Sequence, residues 1–94
     1  MKLNDRINTL ATNLSAVVNH MTFILERAPA VPDEEKLVML SLMDVIGKSF
    51  VLIGEAIEKE DLALIDQAVS QAEDTHQKAK AIVNKHPVIM AVFA

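Results

Sequence analysis

Cysteine, tryptophan and tyrosine are absent from the 94-residue sequence, and it contains only two glycines and three prolines. Without cysteine the chain forms no disulfide bond, thiolate nucleophile or cysteine-ligated zinc site. The three histidines, His20, His76 and His86, do not form the pair four residues apart that binds zinc on one helix face. The serines lack the glycine context of a nucleophile elbow. We therefore predict no catalytic residue, no cofactor and no metal site, and hence no enzyme.

Positive charge is also scarce: nine lysines and arginines stand against thirteen aspartates and glutamates, giving a net charge of −4. This balance disfavours binding to the phosphate backbone of nucleic acids. Arginine, whose forked guanidinium binds phosphates and carboxylates, occurs only as Arg6 and Arg27, which disfavours anionic ligands as well. Asp5 and Arg6 stand where a signal peptide has its apolar region, so the predicted compartment is the cytoplasm.

Apolar residues make up 51% of the chain and charged residues only 23%. A chain of this length is predicted to form a single helical domain, residues 1–94, with a real but modest core. The composition excludes intrinsic disorder. It also leaves more apolar surface than a small monomer readily buries. This excess is the first indication of a partner, most simply a second copy of the chain.

Three stretches show helical periodicity and predict helices near residues 3–27, 34–58 and 61–85. In the first stretch apolar residues recur at alternating spacings of four and three, the pattern of one helix packed along another. These residues are Leu3, Ile7, Leu10, Leu14, Val17, Met21 and Ile24. Asn4 or Asp5 is the predicted N-cap, and Pro29 and Pro32 prevent the helix from continuing.

The opposite face of the first predicted helix is polar but uncharged, since no lysine, arginine, aspartate or glutamate occurs from Ile7 to Leu25. Its polar residues are Asn8, Thr9, Thr12, Asn13, Ser15, Asn19 and Thr22. Such a face is either a solvated surface of unusual composition or a surface that meets a partner, because neutral groups lose their hydration at lower cost than charges. The sequence leaves both interpretations open.

The second predicted helix is apolar around most of its circumference, and Pro32 is expected at its first helical position. A helix that is apolar on all sides is either buried on all sides or lies in a membrane. The stretch approaches the ~20 residues of a membrane span, but Asp44 and Lys48 lie near its middle, where a charge costs roughly 2.5–3.5 kcal/mol. Their spacing predicts an ion pair on a narrow polar strip instead.

A run of four charged residues, Glu58–Asp61, separates the second and third periodic stretches. Asp61 is the predicted N-cap of the third helix, and Pro87 ends that helix near Lys85. Because the charged run contains neither glycine nor proline, one continuous helix over residues 34–85 is the alternative to a hairpin. His76 falls on the apolar side of the third helix, where we expect a half-buried and locally hydrogen-bonded histidine.

The second helix and the C-terminus supply the candidate contact surface. Gly47 and Gly54 stand seven residues apart on one helix face, where we expect close approach of a neighbouring helix; a bend is the alternative. Residues 86–94 are apolar and would promote aggregation if exposed, so we expect this tail to cover the second helix of its own or another subunit. The interface candidates are Leu40, Met43, Gly47, Phe50, Val51, Gly54, Val88, Ile89, Val92 and Phe93.

Together these patterns predict an all-α fold, namely an antiparallel three-helix bundle (up-down-up) with an apolar C-terminal tail, assembled as a homodimer. The functional hypothesis is a small non-enzymatic protein–protein interaction module that acts as an adaptor, chaperone or regulator of a partner protein. One alternative is a helical bundle that binds a small molecule or metal, including a small enzyme. The other alternative is a membrane-associated small subunit.

Overall fold

The computed structural model describes residues 2–27 and 31–85, and three α-helices account for almost all of them. Helix α1 spans Leu3–Arg27, α2 spans Asp33–Glu58 and α3 spans Leu62–Val83. No β-strand occurs in this part of the chain. The predicted all-helical fold is confirmed here, and the observed helix ends lie within two residues of the predicted ones.

Two residues assigned to helix starts from the sequence occupy different cap positions in the structure. Helix α1 already begins at Leu3, so Asn4 and Asp5 lie inside its first turn and neither is the N-cap; Asp5 there still complements the positive end of the helix. Pro32 is the N-cap of α2 rather than its first helical residue, because its ψ of 145° is extended. The helical conformation therefore begins one residue later, at Asp33.

The charged run between α2 and α3 forms a tight turn, which rules out one continuous helix. Lys59 and Glu60 occupy the turn, and Glu60 has a φ of 54° in the left-handed region. The backbone N–H of Glu60 donates to the carbonyl of Ile57 at 3.0 Å. The Asp61 side chain accepts a hydrogen bond from the backbone N–H of Leu64 at 3.1 Å, so the predicted N-cap of α3 is confirmed.

The contacts between helices give the direction of each one. Glu35 is near the start of α2 and Lys85 is just beyond the end of α3. Glu35 Oε1 lies 4.0 Å from Lys85 Nζ, so these two helices run antiparallel. Arg6 in α1 contacts Asp66 in α3, and farther along both helices His20 and Val83 line one surface depression, so α1 and α3 run parallel. The order is therefore up-down-up. Helix α3 contacts both neighbours extensively, whereas α1 and α2 contact each other least.

The core lies between the three helices and is built mainly from the predicted apolar repeats. Helix α1 buries Leu10, Leu14, Val17, Met21 and Ile24, as its spacing predicts. Helix α2 buries Met39, Ile46, Ser49, Ile53 and Ala56, and helix α3 buries Ile65, Ala68, Val69, Ala72, Thr75, Ala79 and Val83. The hydroxyls of Ser49 and Thr75 donate to the carbonyls of Val45 and Gln71 one turn earlier, which satisfies these two buried polar groups.

Candidate interaction surface on the second helix

Most of the apolar surface that the described chain leaves uncovered belongs to α2. Among its large apolar side chains Leu40 is 52% exposed and Val51 is 60% exposed. The other exposed ones on this helix are Leu37, Val38, Val45, Phe50, Leu52 and Ile57. The two neighbouring helices bury the row from Met39 to Ala56 listed above and partly bury Leu42 and Met43, so within residues 2–27 and 31–85 the helix has the open apolar side that its composition predicts. An apolar patch of this kind is typical of a contact surface.

One row of this open side is formed by the six α2 interface candidates, and we call it the glycine seam: Leu40, Met43, Gly47, Phe50, Val51 and Gly54. Leu40, Gly47 and Gly54 are seven residues apart and therefore lie nearly above one another on the helix. Met43 is half-buried and packs against the core, whereas the other five are exposed. No member of the glycine seam is charged.

The two glycines face open space rather than a helix of the same chain. A Cβ atom added at Gly47 or Gly54 meets nothing within 4 Å. No helix of the described chain therefore packs closely against these glycines, because α1 and α3 pack against another side of α2; close approach of a helix from a second copy stays a prediction. The glycines instead leave a shallow strip without side chains at the centre of an exposed apolar row.

A second exposed row faces the side of α2 next to α3. Val45 and Leu52 there border an open groove of about 620 Å³, whose other wall includes Ser70, Gln71 and Asp74 of α3. Val38, one heptad before Val45, continues the row toward the start of the helix and is also exposed. This groove is wide open, whereas small-molecule sites usually enclose most of their ligand.

The polar strip predicted on α2 is confirmed. Lys48 Nζ lies 3.0 Å from Asp44 Oδ2, with the two side chains 74% and 66% exposed. Because both charges are hydrated, the pair contributes little to stability. It separates the glycine seam from the groove side of the helix and limits how much of α2 is continuously apolar.

Sequence reasoning missed the polar cluster that joins α1 to α3. Arg6 Nη1 donates to Asp66 Oδ1 at 2.6 Å, and Arg6 Nη2 donates to Glu73 Oε1 at 2.7 Å and to Ser70 Oγ at 3.3 Å. Hydrogen bonds to Glu73 and then Asp66 raise the pKa of Arg6 above its usual range. The signal in the sequence is the spacing of Asp66, Ser70 and Glu73, which puts three acceptors on one face of α3.

Glu73 and His76 stand three residues apart on α3, a spacing that can place two metal ligands on one turn and that the sequence analysis overlooked. The structure instead directs the Glu73 carboxylate to Arg6, while His76 is half-buried as predicted. Within residues 2–27 and 31–85 no three histidine, aspartate or glutamate side chains come together in a way that would hold a metal ion.

The uncharged polar face of α1 is largely exposed. Asn8, Thr12, Ser15 and Asn19 are exposed, whereas Thr22 is half-buried. The Thr12 hydroxyl donates to the carbonyl of Asn8 at 3.1 Å, so part of its hydrogen-bonding capacity is used within the helix. Both interpretations of this face, a solvated surface and a surface for a partner, stay predictions.

The four interface candidates in the C-terminal tail, Val88, Ile89, Val92 and Phe93, lie outside the described residues, as do His86 and Pro87. The expectation that this tail covers α2 therefore stays a prediction. The sites that the structure describes on α2 are the glycine seam, the groove and the polar strip.

Comparison with known proteins assigns no family. The chain matches no protein-family model, no curated protein and no solved structure. Among the described helices, α2 alone has the length and apolar composition of a helix that could cross a membrane. A core helix of a soluble protein can have the same composition, although such a helix is mostly buried, and most of the apolar stretch of α2 is exposed.

Proposed function

We propose that this chain is a non-enzymatic helical interaction module that functions as a cytoplasmic homodimer and presents α2 to its partners. The observation that carries the proposal is the exposed glycine seam. Soluble monomers rarely leave a long contiguous apolar row in water, and where they do it marks a contact surface. The proposed role of the module is that of an adaptor, chaperone or regulator, which would act through a contact surface such as the one on α2.

The energetics favour a second copy of the chain as one partner. Full burial of a leucine, valine or phenylalanine side chain contributes about 1.5–3 kcal/mol, and association costs about 4–15 kcal/mol in lost freedom of motion. The large side chains of one glycine seam, Leu40, Phe50 and Val51, are already about half buried, so burying the remainder does not offset that cost alone. A two-fold contact uses each of them twice and therefore doubles the gain from the same sequence.

Sedimentation equilibrium of two matched variants tests this proposal. Val51→Asp places a charge in the glycine seam and should shift the wild-type dimer toward monomer. Ser41→Asp places the same charge on the same helix at another exposed position and should leave the dimer intact. A wild-type protein that is monomeric at high micromolar concentration contradicts the proposal.

A second candidate function, membrane association, is favoured by the apolar length and exposure of α2. The Asp44–Lys48 pair opposes it, since a charge at the centre of a bilayer costs roughly 2.5–3.5 kcal/mol. Flotation with neutral phosphatidylcholine vesicles separates the two candidates. A membrane-associated subunit moves to the vesicle fraction, whereas a soluble dimer stays in the aqueous fraction without detergent.

The third alternative, a small-molecule binder, would use the groove between α2 and α3. Its charged lining consists of Lys48 and Asp74, and each already pairs within its own helix, Lys48 with Asp44 and Asp74 with Lys78. An open groove with internally paired charges provides little to orient a small polar ligand. The glycine seam is therefore the better supported site.

A further inference from the structure

We propose that two copies of the chain pair antiparallel along their glycine seams, with the two-fold axis at Gly47. The inference rests on the proposed function, because it specifies the contact through which the homodimer forms. It is carried by three properties of α2, which are the symmetry of its exposed residues, the open space over its glycines and the charges at the two ends of the row.

Five of the six seam residues have a counterpart within the seam when the row is reversed; the exception is Phe50, whose counterpart three residues before Gly47 is Asp44 of the polar strip. In an antiparallel two-fold contact centred on Gly47, each residue faces the one equally far on the other side of Gly47 in the second copy. Leu40 then faces the partner's Gly54, Met43 faces the partner's Val51, and Gly47 faces its own counterpart. All five positions are on the same side of α2, because they are separated by three, four or seven residues.

The open space over the glycines suits this arrangement. Helices usually pack with their axes 8–10 Å apart, and the side chains at the contact set the distance. Nothing within the described chain lies within 4 Å of a Cβ at Gly47 or Gly54, so a second helix can approach closely there. The half-exposed Leu40 side chain, 52% accessible, then packs into the gap above the partner's Gly54.

Charge complementarity fixes the direction and the register. Lys36 and Glu58 lie on the seam side of α2, about 33 Å apart at 1.5 Å per residue, and equally far from Gly47. Antiparallel pairing puts Lys36 beside the partner's Glu58 at both ends of the contact, whereas parallel pairing puts like charges together. A register shifted by one turn would use Asp61 instead, but its carboxylate already caps α3 through Leu64.

The same charges distinguish a second copy from the C-terminal tail as the occupant of the seam. Residues 86–94 contain no aspartate or glutamate to match Lys36 and no lysine or arginine to match Glu58. A second copy supplies both opposite charges and an equal apolar row. We therefore assign the glycine seam to a second copy of this chain.

Single-cysteine cross-linking tests the geometry, because the natural chain has no cysteine to interfere. A disulfide requires Cβ atoms about 3.5–4.5 Å apart. Gly47→Cys should therefore form a disulfide-linked dimer rapidly on mild oxidation, and Ser41→Cys on the same helix should not. Leu40→Cys and Gly54→Cys should each fail alone but link efficiently when the two variants are mixed.

A charge exchange provides a second, independent readout. Lys36→Glu should raise the dimer Kd about tenfold, since it replaces two attractive pairs by two repulsive ones. Combining it with Glu58→Lys should return Kd to near the wild-type value. If Lys36→Glu and Glu58→Lys each raise the dimer Kd but the double variant does not return it to the wild-type value, the pairing of these two positions is wrong.

The outcomes separate this inference from the proposed function. Self-linking of Leu40→Cys demonstrates a parallel contact and overturns the inference while leaving the dimer. If the protein is a dimer but forms no disulfide at any seam position, the dimer uses another surface, and the inference is again overturned. If Gly47→Cys links only after deletion of residues 86–94, the tail is the natural occupant and the inference is wrong. A monomeric wild type refutes both proposals.

Discussion

Glu60 occupies a backbone conformation that its side chain disfavours. Its φ of 54° is left-handed, and this conformation costs a residue with a Cβ roughly 1–2 kcal/mol. The position directly follows the C-cap of α2, where glycine is the usual residue. The turn is kept because its hydrogen bonds end α2 and Asp61 begins α3.

Replacing Glu60 by glycine should therefore stabilise the protein. We expect Glu60→Gly to raise the free energy of unfolding by about 0.5–1 kcal/mol, the relief of strain less the extra entropy of glycine in the unfolded chain. Urea denaturation monitored by circular dichroism measures the change. Glu55→Gly, in an exposed turn inside α2, is the control and should destabilise by about 1 kcal/mol. Equal destabilisation by both changes would show that position 60 is not strained.

Arg6 is the residue that connects α1 to α3 by charge. Its guanidinium contacts Asp66, Ser70 and Glu73 at once, a geometry that the point charge of lysine does not reproduce. Hydrogen bonds to the ionised carboxylates of Glu73 and Asp66 raise the pKa of Arg6, so protonation of Arg6 favours the folded state below the unfolded-state arginine pKa, and this preference is lost as the pH rises through the raised pKa. The arginine therefore stays charged throughout the acidic and neutral range.

Arg6→Ala should lower the thermal midpoint, and Arg6→Lys should restore only part of the loss. The matched control is Lys78→Ala, which removes an ion pair with Asp74 that lies within one helix and should change the midpoint little. A double-mutant cycle of Arg6→Ala with Glu73→Gln isolates the contact between helices. Additive effects in that cycle would show that the contact is not energetically coupled.

At the scale of the helix, α1 and α2 differ in how fully the sequence predicts their environment. The alternating spacing of α1 identifies a single apolar stripe, and Leu10, Leu14, Val17, Met21 and Ile24 are all buried. Apolar residues occur on most sides of α2, so its sequence predicts an uncovered side and offers candidates for it, but it does not predict that Val38, Val45 and Leu52 are exposed as well. The choice depends on where α1 and α3 pack, which is information that α2 does not contain.

Contacts between residues that are far apart in sequence were the hardest to predict. The Arg6 cluster joins positions 60 to 67 residues apart, and no local pattern shows that Arg6 and Glu73 lie at the same height in the bundle. Local signals performed better, since Asp61 caps α3 and Asp44 pairs with Lys48 as their spacing predicts. The spacing of Gly47 and Gly54 identifies a shared face but does not identify the helix that packs against it, and no helix of the described chain does so.

Gly47→Ala should affect folding and association in opposite directions. Alanine is favoured over glycine by about 1 kcal/mol in a helix interior, and open space surrounds a Cβ at this position, so the monomer should become more stable. The added methyl group stands at the centre of the proposed dimer contact, so the Kd of the dimer should rise. Urea denaturation at low concentration and sedimentation equilibrium measure the two effects, with Ser41→Ala as the control. An unchanged Kd would place Gly47 outside the contact.

At the scale of the whole molecule, the described chain is elongated, with principal extents of 45, 25 and 16 Å. The smallest extent reflects a flat arrangement of the helices, because α3 contacts both neighbours whereas α1 and α2 contact each other least. A second copy placed on the glycine seam would cover part of the open side of α2.

Dimerisation at the glycine seam should make thermal stability depend on protein concentration. When folding and association are linked, a tenfold increase in concentration stabilises the folded dimer by about 1.4 kcal/mol, which raises the midpoint by several degrees for a chain of this size. Val51→Asp should abolish this dependence while leaving the helical circular dichroism spectrum unchanged at low concentration, since Val51 is 60% exposed and contributes little to the monomer core. Deletion of residues 86–94 should preserve the dependence, because a second copy and not the tail is the proposed occupant of the seam. If the wild-type thermal midpoint stays constant over a hundredfold range of protein concentration, the open side of α2 is not covered by self-association.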